Sequence, residues 1–126
     1  MVLIYTLYLF SETDGNVGNW TGEVTFGDNY MRTTDGNYNQ TYSDFNDLTE
    51  YKTLYIDYKK ITGGGGNRTW LAPSEGTSIN EGTGLQLTAD TSRTTAQLDI
   101  QSYSGNYRIV INAYFMIWEI YNIWLE

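Results

Sequence analysis

The chain contains no cysteine and no histidine. Without thiols there are no disulfides, no zinc-thiolate sites and no cysteine nucleophile. Without imidazole the usual general base is gone, and a Ser-His-Asp relay cannot be built. Basic residues are few: 7 Lys+Arg stand against 15 Asp+Glu, for a net charge of −8, with no basic run. Nucleic acid and anionic membrane surfaces both demand phosphate neutralisation, so neither is an expected partner. Helical patterning is missing too, because no segment sustains apolar residues at the 3.6 spacing. The opening stretch from Met1 to Phe10 is apolar but too short to span a bilayer. It also lacks the basic flank and small-residue cleavage site of a signal peptide. It reads as the first strand of a domain excised from a longer protein.

What remains is a 126-residue chain that is 40% hydrophobic and 17% charged, with 12 Tyr and 4 Trp. That length suits one domain, residues 1–126, and that composition supports a packed core. Aromatic residues make up 16% of the chain. They suit strands, and they exceed what a core of this size needs, so some rings are expected at the surface.

Alternation and turn signals divide the chain into about ten short strands. Val2 to Phe10 is followed by a polar loop, Ser11 to Asn19. Glu23 to Phe26 and Tyr30 to Thr33 flank Gly27-Asp28-Asn29, a hairpin signal. Asp35-Gly36-Asn37 is the next turn, and Asp44 to Glu50 is an irregular linker or a single helical turn. Lys52 to Ile61 is a strong strand with Leu54, Ile56 and Tyr58 on one face. Gly63 to Gly66 lacks the Lys-Ser/Thr of a phosphate-cradling loop and reads as a flexible hairpin connection. Arg68 to Ala72 is a strand that stops at Pro73, and Ser74 to Gly84 is a polar loop. Leu85 to Thr88, Thr95 to Ile100 and Tyr107 to Tyr114 are strands, and Phe115 to Leu125 is a buried final strand. The expected fold is all-β, a jelly-roll β-sandwich of two antiparallel sheets in which the first and last strands pair.

Several of these segments carry a family resemblance. Asp47-Leu48-Thr49-Glu50-Tyr51-Lys52-Thr53-Leu54-Tyr55-Ile56-Asp57 is one. Leu98-Asp99-Ile100 with Ser104-Gly105-Asn106-Tyr107-Arg108-Ile109 is another. The ending Ile120-Tyr121-Asn122-Ile123-Trp124-Leu125-Glu126 and the opening Leu7-Tyr8-Leu9-Phe10 with Gly18-Asn19-Trp20 complete the pattern. The chain resembles small jelly-roll modules in tail and minor structural proteins of phages and prophages of Gram-positive bacteria. Those modules are similar to galactose-binding-like and carbohydrate-binding domains. The resemblance implies the fold and a virion or extracellular setting after synthesis in the bacterial cytoplasm. Its motifs mark strands and a turn, so it names no ligand.

For chemistry, the remaining enzymatic route is a carboxylate pair, with Asp57 and Glu119 as the strand-borne candidates. Solvated outer-face carboxylates are the plainer reading. Glu12, Asp14 and Asn16 alternate oxygen ligands in a loop that suits a structural Ca²⁺ or an ordinary Asx-rich turn. Val17 replaces the glycine that an EF-hand requires, so that motif is excluded. N-x-Thr sequons at Asn19, Asn39 and Asn67 carry no weight in so Asn- and Thr-rich a chain.

The aromatic surplus is the best clue. Sugars stack their C–H faces on Trp and Tyr and take hydrogen bonds from Asn, Arg and Asp. With Ile109 and Ile111 inward, Arg108, Asn112 and Tyr114 point out. With Leu71 inward, Arg68 and Trp70 point out. These five residues form the candidate carbohydrate-binding face, Trp70 being its solvent-facing plate. A module interface or a capped sandwich edge explains the same rings. Trp20, Trp118 and Trp124 are assigned to the core, and Tyr30, Tyr38 and Tyr42 to the rim of a second patch. The expected function is a non-enzymatic tail module for host attachment through weak cell-surface glycan binding. It would work beside other virion proteins and as a homo-oligomer in the parent particle. The alternatives are a carbohydrate-binding module of a secreted glycoside hydrolase and a spacer with no ligand.

Overall fold

Two strands of 20 residues each organise the molecule. They are β7, Thr53–Ala72, and β10, Asn106–Leu125, and they pair antiparallel from Leu54↔Leu125 to Ala72↔Arg108. In this computed structural model, which describes residues 6–73 and 84–126, the other strands attach to this ribbon. They are β1 (Leu7–Phe10), β2 (Thr21–Gly22), β3 (Val24–Phe26), β4 (Met31–Thr33), β5 (Asn39–Tyr42), β6 (Asn46–Asp47), β8 (Leu85–Leu87) and β9 (Thr94–Asp99). All described elements are strands, and all pairings are antiparallel.

The ribbon bends where its pleat is broken. Phe115 has φ 47° and Gly63 has φ 108°, and the register slips between Tyr114 and Met116. On one side of this corner, β2, β5 and β6 join the start of β10, while β8 joins the end of β7. On the other side, β1, β4 and β3 lie beside the end of β10, and β9 beside the start of β7. The two halves share one core. Leu71, Ile109 and Ile111 from the first join Leu54, Ile56, Trp118, Ile120 and Ile123 from the second in a single buried cluster. The result is the expected all-β jelly-roll sandwich, drawn as a continuous hydrogen-bonded ladder folded over at a corner.

Most of the expected strands form. The Gly27-Asp28-Asn29 hairpin forms, with Phe26 opposite Met31. The two ends pair through Leu7↔Leu125 and Tyr8↔Trp124. Residues 1–5 of the expected first strand and 74–83 of the expected polar loop lie outside the described residues. Three expectations need correction. The Gly63–Gly66 run is not a loop but the middle of β7, with Gly66 opposite Tyr114 and Gly63 opposite Met116. A Cβ on Gly65 would sit 1.6 Å from the Tyr114 carbonyl oxygen, so the glycines let the ribbon turn its corner at contact distance. Asp44 to Glu50 contains the short strand β6 and a turn, with no helix. Trp124 is not core: it lies outward, stacked on Tyr55 at 4.9 Å, whereas Trp20 and Trp118 are fully buried as expected.

Candidate functional site

Alternation along β10 resolves its two faces. Ile109, Ile111 and Ala113 enter the main core, while Val110 belongs to a second, smaller cluster with Trp70, Ala72 and Tyr42 on the opposite side of the sheet. Arg108, Asn112 and Tyr114 share that outer side with Val110, and Arg68 shares it with Trp70, because successive residues of a strand alternate. Register then sets the rows across the strands. Tyr42, Val110 and Trp70 form one row, and Gln40, Asn112, Arg68 and Gln86 form the next. The structure therefore brings all five residues of the candidate carbohydrate-binding set onto one face. From Arg108 to Tyr114 this face runs about 20 Å along the strand.

The roles within that face differ from the sequence expectation. Trp70 is only 6% exposed, lying among Ala72, Val110 and Tyr42, so it is a pillar under the surface and not the plate on it. The exposed rings stand at the corner. Tyr38 is 63% exposed, Phe115 46% and Tyr114 39%. Tyr114 touches both of the others, with ring centroids 4.7 Å apart in each pair. Two of the three sit in left-handed backbone, Tyr38 at φ 56° and Phe115 at φ 47°. That conformation is strained for bulky side chains and clusters where function requires it. A hydrogen bond from the Phe115 N–H to the Gly36 carbonyl, 2.8 Å, ties the two turns together.

At the other end of the face, the Arg108 guanidinium lies 4.7 Å from the Tyr42 ring centroid and 4.4 Å from that of Phe45. Its Nε and the Asn112 Oδ1 are both buried with no hydrogen-bond partner. Buried polar atoms are almost always paired, with water or a ligand where protein supplies no partner.

Sequence reasoning missed Phe115, Phe45, Gln40 and Gln86. Phe115, expected in a buried final strand, emerges because Ala113 and Met116 both face the core, which requires an extra residue between them. Tyr38 and Tyr42 belong to this same face and not to a second patch, while Tyr30 stands apart beneath Arg32, 4.8 Å from it.

The other sandwich face carries ion pairs. Asp57 accepts hydrogen bonds from Arg93 (2.6 Å to Nη2) and Asn122 (3.0 Å). Glu119 is bonded to Arg32, and it accepts a 2.8 Å hydrogen bond from the Tyr121 hydroxyl. Arg93 also covers the Tyr121 ring at 4.2 Å. Asp57 and Glu119 are thus not solvated carboxylates, being 9% and 8% exposed, and each faces its own arginine instead of a shared cleft. Burial pushes the Glu119 carboxyl up, but the bonds from Arg32 and Tyr121 outweigh it and hold it below the usual glutamate range. Burial and the bond to Glu119 raise the Tyr121 hydroxyl.

A glutamate depressed in this way stabilises the fold above its unfolded pKa of about 4.3 and loses that contribution as pH falls through the folded value. Glu119→Gln is therefore expected to be less stable than the parent at pH 7. In urea titrations that gap should narrow steadily below about pH 4.3. A gap that does not change with pH would show the pair to be uncoupled from folding.

Two side chains of the Glu12, Asp14 and Asn16 set have partners within the protein. Glu12 accepts a 3.1 Å hydrogen bond from Arg93, and Asn16 accepts one from the Trp20 N–H at 2.7 Å while donating to the Trp20 carbonyl at 3.2 Å. Asp14 donates its N–H to the Ser11 hydroxyl in a turn closed by Ser11 and Gly15. Among the described residues no cluster of three acidic side chains suits a metal ion.

No protein-family model matches the chain, and no curated protein matches it. Solved structures do. The low-affinity xylan-binding module CBM86 from the gut symbiont Roseburia intestinalis aligns over 97% of this chain and 95% of its own, at 10% identity and a TM-score of 0.67. A family 29 carbohydrate-binding module from Piromyces equi aligns over 96% and 89%, at 12% identity and 0.64. A family two carbohydrate esterase from Cellvibrio japonicus aligns over 96% of this chain, at 10% identity and 0.60, and the chain spans about a third (32%) of that enzyme. At such identities the likeness is one of fold. The chain has the jelly-roll fold of carbohydrate-binding modules.

Proposed function

We propose that this protein is a non-catalytic glycan-binding module whose site is the outer face of β5, β10 and β7. The observation that carries the reading is that one face holds both exposed rings and unsatisfied polar atoms: Tyr38, Tyr114 and Phe115 at one end, the Asn112 Oδ1 between, and the Arg108 Nε at the other end. Ring faces take sugar C–H groups, and orphaned donors and acceptors take sugar hydroxyls. Modules of the same fold that bind xylan or belong to carbohydrate-binding family 29 support it. An open, shallow face yields modest affinity, because association entropy offsets much of what few contacts contribute. Attachment in practice then relies on several copies or on a linked partner domain. The solved relatives favour work beside carbohydrate-active enzymes. The strand motifs shared with phage and prophage tail modules favour host attachment from a virion instead.

Tyr114→Ala tests the reading. Removing the central ring of the trio is expected to weaken glycan binding about tenfold on an array or in affinity electrophoresis, and the melting temperature should barely move because the ring is exposed. Unchanged affinity in Tyr114→Ala, or no glycan bound by the parent in multivalent display, would count against the proposal.

A further inference from the structure

We infer that the glycan this face recognises is acidic, and that Arg108 is the residue that selects it by receiving a carboxylate of a uronate-type sugar. The inference rests on the glycan-binding reading above and adds the class of ligand. Its starting point is how arginines are treated elsewhere in the molecule. Arg32 is paired with Glu119, and Arg93 with Asp57 and Glu12. In a chain with 15 acidic residues, carboxylate partners are in ample supply. Arg108 takes none. Its guanidinium is held between the Tyr42 and Phe45 rings, its Nε is buried and unbonded, and no described carboxylate pairs with it.

The nearest opportunity is declined. Ser43 bonds to Ile109 through its N–H, which sets Asp44 beside Arg108 in register. Yet Asp44 turns its carboxylate to the Asn19 side chain at 2.9 Å.

The rows next to Arg108 are neutral apart from Arg68, and the acids on this side stand at its margins: Glu23 opposite Gln40, and Asp47 opposite Asn106 with its carboxylate bonded to Thr49. Gln40, Asn112 and Gln86 occupy the row that also holds Arg68, and Tyr42, Val110 and Trp70 the row nearer Arg108. A partly desolvated cation is costly unless an anion meets it. The rings fix the plane of the guanidinium without satisfying its N–H groups, which leaves a rigid fork of the shape that accepts a carboxylate bidentately. A neutral sugar offers this cation only hydroxyls, whereas a uronate also supplies the opposite charge.

The test compares ligands that differ only in charge. Glucuronoxylan, polygalacturonate and alginate are each presented beside their carboxyl-reduced forms, with binding to the intact protein read by affinity electrophoresis or calorimetry. The expected result is that at least one native polymer binds about tenfold more tightly than its reduced counterpart. Arg108→Gln should erase that difference, so that the native and reduced forms of each polymer bind equally to the variant. Arg108→Lys, which keeps the charge but loses the planar fork, should recover part of it. Because the comparison of polymers uses the parent protein, it stands even if a variant folds poorly. Equal binding of native and reduced polymers overturns the acidic preference and leaves the glycan-binding reading intact. Binding to neither form of any polymer, nor to any neutral glycan, overturns both.

Discussion

Gly65→Ala is expected to cost about 4 kcal/mol or to prevent folding altogether, an effect at the far end of what single substitutions do. The new Cβ would lie 1.6 Å from the Tyr114 carbonyl oxygen and 2.7 Å from its carbon, both backbone atoms of the paired strand. Neither can retreat without breaking the ladder between Gly66 and Tyr114. Gly63→Ala meets a related barrier, with φ at +108° and the Phe115 oxygen 2.4 Å away. The neighbours supply the control. A Cβ on Gly64 or Gly66 meets nothing within 4 Å, so alanine there is expected to change stability by only about 0.5 kcal/mol, in the stabilising direction where the backbone permits. Urea midpoints for the four alanine variants should therefore alternate: large loss, neutral, large loss, neutral. Four uniformly mild values would mean that the run is a free connection after all. Because the same corner displays Tyr114 and Phe115, variants at Gly63 and Gly65 should also lose whatever the aromatic trio binds.

Trp70→Ala is expected to destabilise the domain by about 3 kcal/mol, the low end for removing a buried large aromatic side chain. The ring packs with Ala72, Val110 and Tyr42 and is 6% exposed. Tyr42 in turn lies under the Arg108 guanidinium, so the loss should spread to binding through a loosened Arg108. Thermal melting and glycan affinity should fall together in Trp70→Ala, whereas Tyr114→Ala lowers affinity alone. An unperturbed melting temperature with lost binding would return Trp70 to the role of an exposed stacking plate.

These two residues also show where local reading ends. Which side of a strand a residue faces follows from alternation, a property of the backbone itself. Arg68, Trp70, Arg108, Asn112 and Tyr114 were therefore legible as one outer set, and the structure places them on one face. How deep each lies is not local. Trp70 packs with Val110 and with Tyr42, 28 residues away, because register sets all three in one row. Phe115 emerges because a bulge shifts the inward phase from Ala113 to Met116. A glycine run reads as a loop when only its conformational freedom is considered. It becomes the tightest contact in the ribbon once the partner strand is known.

By itself, then, the amino-acid sequence determined the all-β class, turns such as Gly27-Asp28-Asn29, the two sides of Lys52 to Ile61 and Tyr107 to Tyr114, and the absence of cysteine and histidine chemistry. Each of these depends on residue identity or on spacing along one strand. Only the tertiary structure decided which rings reach solvent, that Asp57 and Glu119 each face an arginine, and that Arg108 is left without an acid. Those outcomes depend on which strands are paired and in what register. Register is set by packing across the whole sandwich, where Lys52 bonds to Glu126 and Leu7 meets Leu125 from opposite ends of the chain.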